Sequence, residues 1–335
     1  MHTVLSEDAD SVMSKVDLSL LLGKRVLVTG ASGLVGINIV AAIKKTMALG
    51  HIDLWCWFRE EIDPCFSGVF DGCKIIRGDI TDSTMFSDLP QFDYIIHSSG
   101  YAQPSKFLED KIKTIELNTT STILLLKHLD KNGTFLFVST SEIYSGLDVH
   151  NINETQVGTS NTDHPRSCYI EGKRTGEAIC HAYAQKGYNI KIARLSSAYG
   201  AGTKRNDKRV LNTLIEKGLT KPSIDLLDDG SAIRTFCYVS DVTEMLLNIM
   251  LLGKSTTYNV GGVYELSIYE LARRIGNIMN KPVFKSTKES SMAGNPKIVN
   301  VSIQKYMEEF GKTVEDFTDF DTGLKRTILW QTQFA

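Results

Sequence analysis

Tyr169, Lys173, Thr140 and Glu142 are residue types that move protons, and their spacing would let them act together. Tyr169 and Lys173 stand four residues apart, so on a helix they share one face about one turn apart. An ammonium beside a phenol favours the phenolate and brings the tyrosine toward working pH, which would make Tyr169 a general base. By itself this spacing is common among surface pairs. What favours chemistry is Val138-Ser139-Thr140-Ser141-Glu142-Ile143-Tyr144, which closes an apolar run with hydroxyls and a carboxylate. In a parallel sheet those groups fall at the carboxyl edge, where ligands sit.

A second constellation suits a dinucleotide. Gly30-Ala31-Ser32-Gly33-Leu34-Val35-Gly36 follows an apolar strand and opens a helical stretch. Such glycines permit a tight turn and close approach of a pyrophosphate, and the helix start offers N–H donors and partial positive charge. Next in sequence, Phe58-Arg59-Glu60-Glu61 offers a carboxylate for a ribose 2′-hydroxyl and an arginine for a 2′-phosphate. These residues leave NAD and NADP both open. Asp79 and Ile80 follow a third strand, where they would hold the edge and face of an adenine, or Asp79 would cap a helix instead.

Positioning these groups requires alternating strands and helices. Apolar, β-branched segments predict strands at Arg25–Thr29, Ile52–Phe58, Lys74–Arg77, Tyr94–His97, Thr134–Ser139 and Ile190–Leu195. Helical spacing runs over Leu34–Met47, Leu108–Asp130 and Tyr169–Lys186. The pattern predicts an α/β fold, a Rossmann-type doubly wound parallel sheet with a smaller C-terminal α/β domain. The dinucleotide domain would span 1–195 with a returning segment at about 234–262, and the substrate domain 196–233 and 263–335. Ser145 to Arg166 reads as a long loop. In the smaller domain, helices are expected from Arg209 to about Gly218, at Val242–Leu252 and at Ser267–Met279, with a strand at Ile224–Leu227. The long apolar helix over Leu108–Asp130 suggests a two-fold homodimer interface.

Composition narrows the partners. A net charge of -2 over 335 residues creates no field for nucleic acid or anionic membrane, so an anionic ligand must be held by local arginines and backbone dipoles. The six cysteines are scattered without metal-ligand spacing, which predicts reduced thiols, no metal and a cytoplasmic protein. The acidic start and the lack of a long apolar run argue against export and membrane insertion. His97, Asn118, Trp55 and Trp57 are read as structural, with Asn118 anchoring a neighbouring strand, and Cys168 and Cys237 as inert.

Gly30 to Gly36, Thr140, Tyr169 and Lys173 together resemble the extended short-chain dehydrogenase/reductase family of nucleotide-sugar enzymes. More narrowly, the stretches Ser139 to Tyr144, His164 to Arg174 and Arg234 to Asp241 are similar to UDP-glucuronate decarboxylases, and the likeness runs from Arg25 to the Gly323–Trp330 helix. The resemblance implies that Tyr169 takes the sugar 4-hydroxyl proton, Thr140 hydrogen-bonds that oxygen, Lys173 holds the nicotinamide ribose and Glu142 supplies or relays a proton at C5. It places Ser98, Ser99, Gly100 and Ser196 beside NAD, and Tyr101, Gln103, Lys106 and Ser141 toward the sugar. Arg205, Arg209 and Arg234 offer charge for the nucleotide phosphates, with Arg209 and Arg234 at matching positions and Arg166 a further candidate.

Two loops depart from the decarboxylase pattern. Leu195 to Thr203 lacks an expected Asn and Arg, and His97 to Phe107 differs from the usual version while keeping small residues beside the cofactor. Ser141 stands where a 4,6-dehydratase has an aspartate. The implied activity is oxidation of a UDP-hexuronate at C4 followed by decarboxylation. A 4-epimerase, a 4,6-dehydratase and a non-catalytic nucleotide sensor are the rivals.

Overall fold

The computed structural model describes residues 1–66, 68–287 and 298–333. An N-terminal helix, α1 (Thr3–Lys15), precedes β1 (Arg25–Thr29), α2 (Leu34–Thr46), β2 (Asp53–Phe58), β3 (Lys74–Arg77) and β4 (Phe92–His97). Three short helices follow, α3 (Pro104–Glu109), α4 (Lys111–Glu116) and α5 (Thr120–Leu126). Then come β5 (Leu129–Thr140), α6 (Ser167–Gln185), β6 (Asn189–Leu195) and β7 (Ser197–Tyr199). The rest comprises α7 (Val210–Thr220), β8 (Ile224–Asp225), β9 (Ile233–Tyr238), α8 (Val239–Leu252), β10 (Thr257–Val260) and β11 (Tyr264–Ser267). After these lie α9 (Ile268–Met279), β12 (Val283–Phe284), β13 (Ile298–Val299), α10 (Gln304–Phe310) and α11 (Phe320–Thr332).

Seven strands form one parallel sheet in the order β10-β6-β5-β4-β1-β2-β3. Its strands are apolar on both sides because both faces are covered. Val26, Val28, Ile96, Leu136 and Val138 join the core under α1, α2 and α8. Their alternating neighbours Leu27, Ile95, Phe135 and Phe137 join the opposite core with Leu125 of α5 and Cys180 of α6. Truncating fully buried Leu27 to Ala would cost about 2–5 kcal/mol. The order reverses between β1 and β4, and at such a switch the flanking loops part to leave a crevice.

A smaller sheet, β11-β9-β13 with β7 paired to β9, stands beside that crevice over its own core of Leu211, Leu214, Ile215, Leu271, Ile275 and Phe320. β9 belongs to this small sheet, whereas α8 packs on the large one and β10 completes it.

Several sequence expectations change. The single helix over Leu108–Asp130 is three short helices, and Asp130 lies in β5. Asp110 breaks the first at φ -128°, ψ 88° and caps α4 by accepting from Lys113 N at 2.9 Å. Asn118 and Thr119 bond back to Thr114 O and Ile115 O at 2.7 and 2.9 Å, a local competition that bends or ends helices. Asn118 therefore serves its own turn and does not anchor a strand. The strand expected from Thr134 begins at Leu129, and that at Ile224–Leu227 covers only Ile224–Asp225. α8 begins three residues before Val242, and Ser267 is the N-cap of α9, closing a capping box with Glu270. Unanticipated α1 is held by Asp8, which accepts from Tyr238 OH and Arg326, both at 2.8 Å.

Candidate active site

The crevice encloses about 1330 Å³. Its floor at the switch point is the glycine turn. Gly30 sits at φ +64°, and a Cβ there would lie 2.7 Å from Ser98 O. At Gly36 a Cβ would meet Gly30 O at 2.3 Å, so only glycine lets the turn, α2 and the β4 loop touch. Gly33 is the N-cap of α2 and carries no side-chain cap, so no side chain competes for the helix's first N–H groups. A tight glycine cradle with uncapped donors fits a dinucleotide pyrophosphate.

Around it, Ser98 Oγ donates to Thr29 O at 2.6 Å and Ser99 N to Thr29 Oγ1 at 3.3 Å, fixing the loop after β4. Asp79 accepts from Thr81 N at 3.0 Å and pairs with Lys113 Nζ at 2.9 Å, a partner that no local pattern announces. Ile80 is buried beside Trp57 and Phe86. His97 is buried, bonded to Thr29 Oγ1 at 2.8 Å, and pushed down to about 3 by burial and then by the charge of Lys173. It is a neutral structural histidine, as its position at a strand end suggested.

Tyr169 opens α6, buried, with its ring stacked on Phe107 at 4.7 Å and 4°. Lys173 lies one turn on and donates to Val138 O at 2.7 Å, which locks the ammonium against the end of β5. The electrostatics depart from expectation. Burial pushes the Tyr169 phenol up to about 12, and the charge of Glu142 adds to this; a hydrogen bond with Thr140 and the charges of Arg166 and Arg209 oppose it. Lys173 is not among the groups lowering the phenol. Burial takes Lys173 itself down to about 8, against the charges of Glu177 and Cys180. The ammonium donates to a backbone carbonyl, and burial dominates the phenol.

Beyond Tyr169 lies the corner that distinguishes this crevice. Thr140 caps a short 3-10 turn by accepting from Glu142 N at 3.2 Å, which turns Glu142 inward from the sheet edge. Glu142 pairs with Arg166. Burial raises the Glu142 carboxyl, while Arg166 and Arg234 pull it back. The charges of Arg166 and Arg234 in turn oppose one another. Buried Arg166 thus pairs with this carboxylate, and half-buried Arg234 stands close enough for its charge to be felt there. Farther out, Arg209 is gripped by Asp207 through Nε and Nη2 at 3.0 and 2.7 Å, and Gln103 Oε1 accepts from Lys208 N at 3.2 Å.

Most residues expected at the site from sequence line this one crevice: Gly30, Ser32 to Gly36, Arg59, Asp79, Ile80, Ser98 to Tyr101, Gln103, Lys106, Thr140 to Glu142, Arg166, Tyr169, Lys173, Ser196, Arg209 and Arg234. Arg205 does not; it lines a separate cavity of about 220 Å³ with Asn206 and Glu216. Sequence reading missed Lys113, Phe107 and Lys204. Each sits in a stretch whose local pattern signals only a helix or a polar loop. Among the described residues no cluster of side chains is arranged to hold a metal ion, and no helix is long and apolar enough to cross a membrane.

Comparison with known proteins agrees with this geometry. UDP-glucuronic acid decarboxylase 1 of Danio rerio is 32% identical over 262 residues, covering 76% of this chain and 61% of that relative. UDP-glucuronic acid decarboxylase 6 of Arabidopsis thaliana is 29% identical over 301 residues, covering 86% and 83%. The chain thus spans about three fifths of the length of the zebrafish relative. Among solved structures, the UDP-glucuronic acid 4-epimerase of Bacillus cereus superposes with a TM-score of 0.75 at 23% identity, covering 93% of this chain and all of that one. The DesIV dTDP-glucose 4,6-dehydratase of Streptomyces venezuelae gives 0.78 at 20% identity, covering 92% and 97%. These two share its fold. Residues 26–261 match the model of the NAD-dependent epimerase/dehydratase family, and the chain belongs to that family.

Proposed function

We propose that the protein converts UDP-glucuronate to a UDP-pentose and carbon dioxide, with NAD as a recycled cofactor. The observation that carries this reading is the Glu142, Arg166 and Arg234 corner beside the candidate base, a largely buried site where positive charge exceeds negative in either protonation state of Glu142. A sugar carboxylate would complete it, because buried charges persist when paired and hydrogen-bonded. A neutral hexose would leave it uncompensated. The decarboxylase relatives support the same assignment.

The glycine turn and uncapped start of α2 would hold the pyrophosphate, Asp79 and Ile80 the adenine, and Lys173 the nicotinamide ribose. When bound, the dinucleotide supplies a positively charged hydride acceptor and later returns the hydride. Tyr169 takes the proton from the sugar 4-hydroxyl as the C4–H electrons depart, and Thr140 donates a hydrogen bond to that oxygen. The resulting C4 ketone is β to the C6 carboxylate. Breaking C5–C6 releases carbon dioxide and sends the bonding pair into an enolate at O4, where Thr140 and Tyr169 face the developing charge. Glu142, whose carboxyl burial favours in its protonated form, delivers a proton to C5. Tyr169 then returns its proton to O4 as C4 is reduced, so no external reductant is consumed.

The small lobe, with Arg209 and Arg234, holds the nucleotide in this scheme. The active form is a homodimer, for which Ile112, Ile115 and Ile123 on α4 and α5, 69, 38 and 39% exposed, offer an apolar face. The cytosol is the compartment that suits its six free thiols. Incubation with UDP-glucuronate and NAD, followed by mass spectrometry, tests the reaction. Loss of carbon dioxide supports it; loss of water, or an unchanged mass with inverted C4, selects a dehydratase or an epimerase. Tyr169→Phe should retain nucleotide binding while turnover drops about 10³-fold.

A further inference from the structure

The chain from β7 to α7, residues 200–209, forms neither helix nor strand. Its first part is seated firmly. Asn38 Nδ2 of α2 donates to Ala201 O, and Trp330 Nε1 of α11 donates to Thr203 O, each at 2.8 Å and each buried. Beyond that seat the segment reaches the loops of the large sheet at two places. Lys204 Nζ lies 3.4 Å from Ser32 Oγ in the glycine turn and 3.5 Å from Glu60 Oε2 just after β2. Lys208 N donates to Gln103 Oε1, in the loop after β4, at 3.2 Å. Lys204, Asp207, Lys208 and Arg209 all line the crevice.

These attachments stand on opposite sides of the switch point. β1 and β2 lead into Ser32 and Glu60, β4 leads into Gln103, and β1 and β4 are the neighbours between which the strand order reverses. A dinucleotide held by the glycine turn lies in the opening between those loops, and the segment spans that opening. Its seat and its far contacts differ in strength. The seat is two buried hydrogen bonds to helices, whereas the far contacts are one neutral hydrogen bond and an ion pair whose side chains are 34 and 51% exposed, where water and salt weaken it. A segment held this way opens from its far end.

We propose that residues 204–208 are a hinged strap over the dinucleotide, fastened by Gln103 and Lys204, and that undoing these two contacts limits how fast NAD enters and leaves. The inference rests on the dinucleotide reading of this crevice. A cofactor restored within each cycle has no need to exchange, so a slow strap does not slow the reaction. The fastenings join protein to protein, which means that they oppose entry and exit alike.

Stopped-flow fluorescence of NADH with the full-length chain tests this without turnover: mixing gives the entry rate, and a chase with excess NAD gives the exit rate. Gln103→Ala should raise both rates about three- to tenfold, the range expected for one hydrogen bond, and leave Kd within about twofold. Gln103→Glu keeps an acceptor for Lys208 N and should retain the parent rates. Lys204→Ala should speed exit about threefold, and exit from that variant should respond less to added salt than exit from the parent. If Gln103→Ala speeds exit alone and weakens Kd, the glutamine is a ligand contact and not a fastening. If neither rate changes in the Gln103→Ala/Lys204→Ala double variant, the segment is no barrier; either result overturns the strap while leaving the cofactor reading intact. Failure of the parent to bind NADH or NAD at all removes both together.

Discussion

Two buried glutamate–arginine pairs lie near the carboxyl end of β5, and they are finished to different degrees. Glu177 and Arg194 saturate one another. Glu177 Oε1 accepts from Ser139 Oγ at 2.5 Å and Arg194 Nε at 3.1 Å, while Oε2 accepts from Arg194 Nη2 at 2.7 Å. Arg194 Nη1 then donates to Tyr144 OH and Glu154 O, both at 2.9 Å. Glu142, by contrast, pairs its carboxylate with Arg166 and faces the crevice, where it feels the charge of Arg234. A pair whose donors and acceptors are all used fixes α6 to the sheet. A pair that lines a cavity keeps its charge within reach of a ligand, at the cost of partial burial.

The contrast can be broken most directly at the saturated pair. Arg194→Met strands Glu177 among apolar and hydroxyl groups and should cost about 3–5 kcal/mol, read from the urea midpoint. A variant as stable as the parent would show that the pair does not hold the fold. Glu142→Gln should instead leave the unfolding midpoint within about 1 kcal/mol and lower release of carbon dioxide about 10²–10³-fold. Reduced cofactor should still form on mixing with substrate, since oxidation at C4 precedes the step assigned to Glu142. Unchanged product formation would remove Glu142 from the mechanism.

The smallest effect is a pH limb. Lys173 has its pKa brought down to about 8, so its charge is present below that pH and lost as pH rises through it. If the ammonium is needed, kcat/KM should fall by up to about tenfold per unit above pH 8. Lys173→Arg should lose that limb, because a guanidinium stays charged throughout. A flat profile up to pH 10 in the parent would mean that the charge of Lys173 is not required.

Much of the site was legible because its signals are local. The glycine turn, the four-residue step from Tyr169 to Lys173 and the run from Ser139 to Tyr144 each lie within one element or one turn, where spacing alone fixes relative position. Where reading failed, side chains overruled a pattern. The apolar stretch from Leu108 onward keeps helical spacing, yet Asp110, Asn118 and Thr119 bond to nearby backbone and divide it into three helices. The phenol also resisted sequence reasoning. Spacing put an ammonium one turn from Tyr169, but the lysine's hydrogen bond to Val138 O turns it to the sheet, and burial pushes the phenol up and the ammonium down.

By itself the sequence determined the parallel sheet, the glycine turn and the candidates for moving protons, since periodicity of two or 3.6 and short-range spacing survive in any chain that folds this way. Only the tertiary structure decided the partners. Arg166 reaches Glu142 across 24 residues, Lys113 reaches Asp79 across 34, Lys204 reaches Ser32 across 172, and Arg326 fastens α1 through Asp8 across 318. No local period encodes such meetings. They arise where elements distant in sequence pack together, and partial burial of charge there makes each pairing matter.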